Sequence, residues 1–402
     1  MNTRPLALGA MLAAAASATT GFLACANDGG VAPDGPPDDG TRLEGDAGAG
    51  ADALAEAAVD PDPCLPNALC PGGPFTATGT GLPLDGRARI NVIRGRSATD
   101  VWVGGASGAL AHYDGQTWTR SDLGAKASVR VLWLRGAEEI AIASASSYFV
   151  RGLSPFDAGV TPSASGWIEY GEPAASGTPE LPMSGWASPL AEWFWLTTVQ
   201  PVVPNPPMPQ VNGLWRLRVD PSTDAIEVKS PLPDGACTEL NCERMMGVHG
   251  ISDDDLWAVG MDGAALHITA AQSETPVVTP VNSVTRSTLN AVWAGAADDV
   301  WAVGAGGVIR RYTGDPVHWD VVTDVDIDPG ISLNAVWGTS STDVWVVGDR
   351  ALVLHYDGKQ WSQVPVGGLD GLRPDLYSVW TAEPGHVWIG GEGTVLSIGG
   401  KP

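Results

Sequence analysis

Seven times along this chain the same six-residue step leads into a short apolar run. The clearest copy spans Leu333 to Trp361, where Trp337 steps to Asp343 and the run DVWVVG. The step also joins Arg94 to Asp100 (DVWVGG), His249 to Asp255 (DLWAVG), Trp293 to Asp299 (DVWAVG) and Trp380 to His386 (HVWIGG). Two looser copies carry glutamate, Trp133 to Glu139 and Trp186 to Glu192. From Trp293 to Trp337 is 44 residues and from Trp337 to Trp380 is 43, the period of a propeller blade. A length of 402 residues would by itself suggest two or three domains, but a fixed period implies one repetitive body.

Within each copy the physics is that of β-strands. LNAVW, DVWVV and ALVLHY are rich in Val, Leu, Trp and Tyr and are bounded by Gly, Ser, Thr or Asp. None is long or periodic enough for an amphipathic helix. One four-stranded unit cannot bury both faces, whereas seven in a ring can. The expected fold is therefore all-β, a seven-bladed β-propeller over 74–400. The tryptophans at 293, 337 and 380 and at 257, 301, 345 and 388 are expected between blades, each burial contributing roughly 2–3 kcal/mol. The seventh copy stops after a third strand, TVLSI (394–398), and PFTATGTGL (74–82) resembles the missing fourth. An N-terminal strand completing the last blade would close the ring and remove its open edges.

The two ends differ in kind. An apolar, Ala-rich run from Leu6 to Ala24 follows the lone charge of Arg4, the pattern of a secretory signal over 1–24. Phe22-Leu23-Ala24-Cys25 resembles a bacterial lipobox, which implies cleavage before Cys25 and lipid on its sulfur. Residues 25–73 are expected to be a disordered tether. Within it, 26–63 carry ten acids against the single base Arg42, contributing −9 of the formal −24. The remaining −15 makes the ring acidic too, which disfavours nucleic acid and anionic membrane surfaces. An exported, lipid-anchored envelope protein, monomeric, is the expected form.

Four further cysteines form two close pairs, Cys64/Cys70 and Cys237/Cys242, which suit disulfides in an oxidising compartment. Local pairing is the simplest of the three connectivities. No histidine sits at zinc-ligand spacing from either pair. Asp324, Asp326 and Asp328 alternate like a calcium loop but lack its glycine and its bidentate glutamate, so calcium is only a weak candidate. His112, His267 and His355 lie twelve residues after Asp100, Asp255 and Asp343, in separate blades where they cannot share a metal. No cofactor is expected.

HYDGQTW and HYDGKQW place Asp114, Asp357, Trp118 and Trp361 in an x-D-G-x-x-W turn. That turn resembles the Asp-box of BNR/sialidase-type repeats, without the Ser or Thr two residues before the Asp. The resemblance implies architecture, with Asp bonding its own turn and Trp stapling it to the blade. Asp100, Asp255, Asp299 and Asp343 are expected to cap the turn between first and second strands in the same way. From 74 to 400 the chain resembles bacterial YVTN/BNR-like seven-bladed propellers, many of them exported or lipid-anchored. Function would sit on loops sharing a face with the blade-to-blade connections. These are the Pro-rich 201–212, the Cys237/Cys242 loop, 324–330 and 367–375. The leading expectation is a non-catalytic lipoprotein binding a protein partner. W-x-V-G and D-G-x-x-W spacing also resembles tectonin repeats, implying a glycan-binding alternative. A sialidase-like hydrolase is the third class, for which Arg89, Arg130, Arg350, Arg373 and Tyr377 would have to meet at the channel mouth.

Overall fold

The computed structural model describes residues 64–65, 67–75, 83–144, 146–153, 160–171, 181–189, 191–200 and 212–398. The signal segment 1–24, Cys25, the tether to 63 and loop residues 201–211 lie outside them.

The described strands form seven separate four-stranded antiparallel sheets, arranged as the blades of a ring. The innermost strands are Ile90–Ser97, Val131–Arg135, Leu181–Trp186, Met245–Ser252, Leu289–Ala296, Leu333–Ser340 and Leu376–Thr381, for blades one to seven. Seven apolar clusters hold the ring together, one at each junction between adjacent blades. Tryptophans of the second strands supply their bulk: Trp102 between blades one and two, Trp257 between four and five, Trp301 between five and six. Trp345 does so between six and seven, and Trp388 between seven and one. A blade's apolar face is thus finished only by its neighbour.

The ring closes through an N-terminal strand, but not the expected one. Leu69–Pro71 pairs antiparallel with Thr394–Ile398 and becomes the outer strand of blade seven. The expected closing segment, 74–82, follows that strand, and 76–82 lie outside the described residues. The ring therefore begins inside the stretch read as tether. Leu69 is fully buried against Leu376 and Leu396, whereas PFTATGTGL offers a single large aromatic and little else to bury. Cys64 is bonded to Cys70 and Cys237 to Cys242. Among the described residues no helix is long and apolar enough to cross a membrane.

Candidate functional site: the central channel

Which residues reach the channel is decided by a repeated irregularity. The first strand of six blades carries a β-bulge near its start, so one residue there has no partner across the ladder. The extra residues are Asn91, Met183, Met246, Asn290, Asn334 and Tyr377, each three before the repeat anchor. A bulge re-aims its side chain, and all six line one cavity on the ring axis, joined by Arg130 from blade two. The bulge also explains the glycine ending DVWVVG and its copies. A Cβ on Gly105, Gly304 or Gly348 would collide with the carbonyl before the bulge, from Arg89, Thr288 or Ser332. Three of the bulge asparagines tie blade to blade. Asn91 donates to the Val129 carbonyl (2.9 Å), Asn290 to that of Leu333 (2.8 Å) and Asn334 to that of Leu376 (2.9 Å).

Below this rim Arg94, His249 and Trp337 meet across the axis, and Trp133, Trp293 and Trp380 pack between adjacent blades, as expected of the last two, all of them in the anchor column. Its seven members are Arg94, Trp133, Trp186, His249, Trp293, Trp337 and Trp380, five indoles interrupted by two polar residues. The Arg94 guanidinium carbon lies 4.7 Å from the Trp337 ring centre, and the His249 ring lies 4.9 Å from the same indole, edge-on. The indoles of Trp380, Trp186 and Trp293 lie against Gly95, Gly250 and Gly338, where no Cβ would fit. Above the column remains a chamber of about 80 Å³ opening towards the blade-connection face.

Its electrostatics are one-sided. Arg94, Arg130 and His249 line the chamber, and no Asp or Glu does. Burial lowers Arg94 to about 10, still cationic, although the chamber's solvent reaches part of it. Arg130 is lowered by desolvation and then by the nearby Arg89 charge. His249 falls to about 3 through burial and then Arg94, and its Nδ1 accepts the Ala294 N–H at 3.1 Å. It is a neutral imidazole at physiological pH.

Arg89 sits at the rim, 3.9 Å over the Tyr377 ring, and donates to the Asn91 amide oxygen at 2.8 Å. Tyr377 donates to Glu392 at 3.3 Å. Desolvation, then Glu392, pushes the phenol up to about 12, the wrong direction for a nucleophile. Of the arginines a hydrolase would need, Arg89 and Arg130 reach this region. Arg350 instead faces Asp328 at 3.5 Å, and Arg373 is exposed on a connection.

The four loops named from sequence do belong to the blade-connection face wherever described. The loop after the second strand meets the connection into the next blade, as when Gly307 N–H bonds the Ile331 carbonyl and Ala351 N–H that of Pro374. Asp328 accepts from Gly330 N–H. Among the described residues no three His, Cys, Asp or Glu gather as a metal-ligand group.

The acid column required correction. Asp100, Asp255 and Asp343 do not cap the turn before them. Each accepts from the histidine twelve residues on, His112, His267 or His355, at 2.8 Å. Asp299 pairs with Arg311 at 2.8 Å, Glu139 with Arg151 at 2.9 Å and Glu192 with Arg218 at 2.6 Å. The base lies on the adjacent third strand and packs on a tryptophan ring, as His267 stacks on Trp257 at 4.4 Å. Ser97 and Ser340 hydroxyls cap the turns instead, accepting from Thr99 and Thr342 N–H. In the x-D-G-x-x-W turns, Asp114 accepts from Gln116 and Thr117 N–H, and Asp357 from Lys359 and Gln360 N–H. Gly115 and Gly358 take φ of 93° and 90°, the region glycine favours.

The architecture is a seven-bladed propeller. No family model and no curated protein matches the chain. Among solved structures it is similar to YCF48 from Cyanidioschyzon merolae, with TM-score 0.57 and 14% identity over 78% of this chain and 96% of that one. It is also similar to YCF48 bound to D1 peptide, with TM-score 0.55 and 16% identity over 77% and 91%. A third is the β-propeller domain of Myceliophteria thermophila Cps50 (Swd1), with TM-score 0.52 and 12% identity over 77% and 96%. At such identities the likeness establishes fold.

Proposed function

We propose that this chain is a non-catalytic lipoprotein of the bacterial envelope whose blade-connection face binds a protein partner. The carrying observation is the chamber on that face, rimmed by dissimilar loops on a rigid ring and lined by cations with no carboxylate to serve as acid or base. Support comes from the similarity to YCF48, one structure of which is bound to a D1 peptide. The lipobox-like Phe22–Cys25 and the acidic stretch behind it supply the anchor and its reach. Equivalent glycan subsites would require like loops in several blades, yet the connections carrying Cys237 and Cys242, 324–330 and 367–375 differ in sequence from one another.

The test is a cross-linked pull-down from envelope fractions. The double variant Leu372→Glu, Arg373→Glu alters an exposed part of the blade-connection face. Val317→Glu alters an exposed valine in the loop between the third and fourth strands of blade five, on the opposite face. A stoichiometric protein lost with the first and kept with the second supports the reading. Polysaccharide in place of protein would replace it with the lectin reading. Metabolic labelling with fatty acid should mark the wild type and not Cys25→Ala; labelling of both would remove the anchor from the proposal.

A further inference from the structure

Arginines packed into this ring are answered in one of two ways, by an acid or by several backbone carbonyls. Arg96 meets Asp100 and Glu139, Arg151 meets Glu139, Arg218 meets Glu192 and Glu227, and Arg311 meets Asp299. The buried Arg216 donates to the Ser273 and Glu274 carbonyls and Arg310 to those of Ser283, Val284 and Ile309, and blades one and two depart from both patterns. Arg94 spends one of its five N–H donors on the neighbouring Ile93 carbonyl at 2.8 Å and has no carboxylate partner among the described residues. The Arg130 guanidinium has neither hydrogen bond nor ion pair among them, and Arg89 bonds only an amide oxygen. A chain of net charge −24, with 46 acids against 22 basic residues, has placed unmatched cations together in its one-sided chamber.

Such an arrangement is costly. Desolvating a cation without an anion disfavours folding, and like charges side by side add to the penalty. Packing does not require it, because the anchor column is tryptophan in five of its seven positions and the rim is asparagine or methionine in five blades. Charge kept against its own cost, in a cavity that opens outward, marks a binding site for the opposite charge.

We propose that the chamber is a carboxylate receptor, which takes an acidic side chain or the C-terminal carboxylate of a partner peptide and holds it between Arg94 and Arg130. The inference rests on reading this face as protein-binding. The planar guanidinium matches a carboxylate with two parallel N–H donors. The size agrees as well. About 80 Å³ corresponds to a handful of waters at roughly 10–15 Å³ each, which suits a carboxylate and its nearest methylenes rather than a folded element. Val92, Val131 and Met246 in the same lining offer apolar wall to those methylenes. Arg89 at the rim adds attraction at long range, and its contribution falls as salt screens it.

The test is calorimetric titration of the full chain with four short alanine-based peptides. One carries an internal glutamate and capped ends, one a glutamine in its place, one a free C-terminal carboxylate and one a C-terminal amide. The glutamate peptide, the free-carboxylate peptide or both should bind, which also identifies the source of the carboxylate. The two neutral peptides should not. Arg130→Gln and Arg94→Met should each weaken binding roughly ten-fold or more, as expected for lost charge-assisted bonds. Arg120→Gln, on the exposed outer strand of blade one, should leave affinity unchanged. Thermal melts establish that each variant is folded, and Arg94→Lys, which keeps the charge but not the fork, should fall between.

Equal binding of neutral and acidic peptides would overturn the proposal. So would unchanged affinity in folded Arg130→Gln and Arg94→Met, or no binding at millimolar peptide. The broader reading is judged separately. Should a partner be lost with Leu372→Glu, Arg373→Glu yet captured normally by the arginine variants, the carboxylate receptor fails and the protein-binding face stands.

Discussion

Two clusters in this ring use similar side chains for different ends. In blade six, His355 lies tilted over Trp345 and bonds Asp343, which also accepts from the Trp345 indole N–H at 2.9 Å and the Thr339 hydroxyl at 2.5 Å. On the axis, Arg94 and His249 both contact Trp337, and no acid joins them. The first cluster is closed, since every donor has its acceptor inside one blade. The second draws on blades one, four and six and leaves charge over. A closed polar cluster supports the fold it sits in, while an open one is explained by what it can bind.

The largest expected effect tests the open cluster by acid. His249 is held at about 3 in the fold against an ordinary 6.5. Because the folded value is depressed, the unfolded chain takes up the proton first. Stability from this group is whole above pH 6.5 and drains as pH falls towards 3, by on the order of 4 kcal/mol. Chemical denaturation across that range should show a flatter acid limb for His249→Gln than for wild type. Identical slopes would mean the imidazole is not desolvated as described.

Next comes the closed cluster. Asp343→Ala strands the His355, Thr339 and Trp345 donors and should cost about 2–4 kcal/mol at neutral pH, measured by the denaturation midpoint. Burial opposes ionisation of Asp343, but hydrogen bonds from His355, Thr339 and Trp345 outweigh it and hold the carboxyl below its usual range. That contribution is present above the unfolded value of 3.8 and is lost as pH falls through the folded one. A loss below about 0.5 kcal/mol would erase the distinction between the clusters.

Smaller again is the turn. Asp357→Ala removes the acceptor for the Lys359 and Gln360 amides at an exposed site and should lower the thermal midpoint by less than Asp343→Ala does. The smallest change should come from Arg130→Gln, which removes an unmatched cation and should leave stability within about 0.5 kcal/mol of wild type or raise it. A clear loss there would show that the chamber arginines hold the ring together.

Blade number and strand order were legible because they rest on local chemistry. Strand residues, turn residues and a period near 44 are all written within one unit, so Leu333 to Trp361 predicts its own blade and, by repetition, six others. The second-strand tryptophans declared themselves for the same reason. The Asp-to-His spacing of twelve was visible too, but its meaning was not. Whether Asp343 faces its turn or His355 depends on register between adjacent strands, which spacing alone leaves open. The bulge left a trace in Asn91, Asn290 and Asn334, each three before its anchor and easily taken for ordinary strand polarity. The closing strand was misplaced because PFTATGTGL matches a neighbour in pattern, while LCP, three residues long, wins by burying Leu69 completely.

What this sequence determined by itself was a repeated β-unit whose apolar faces could be satisfied only by copies of itself. The periodic hydrophobicity that drives burial is a property of neighbouring residues. Tertiary structure alone decided that Arg94 and Arg130 would face one chamber with His249, more than a hundred residues along the chain. Closing the ring fixes which side of each innermost strand meets the axis, and the electrostatic consequence exists only once all seven are in place.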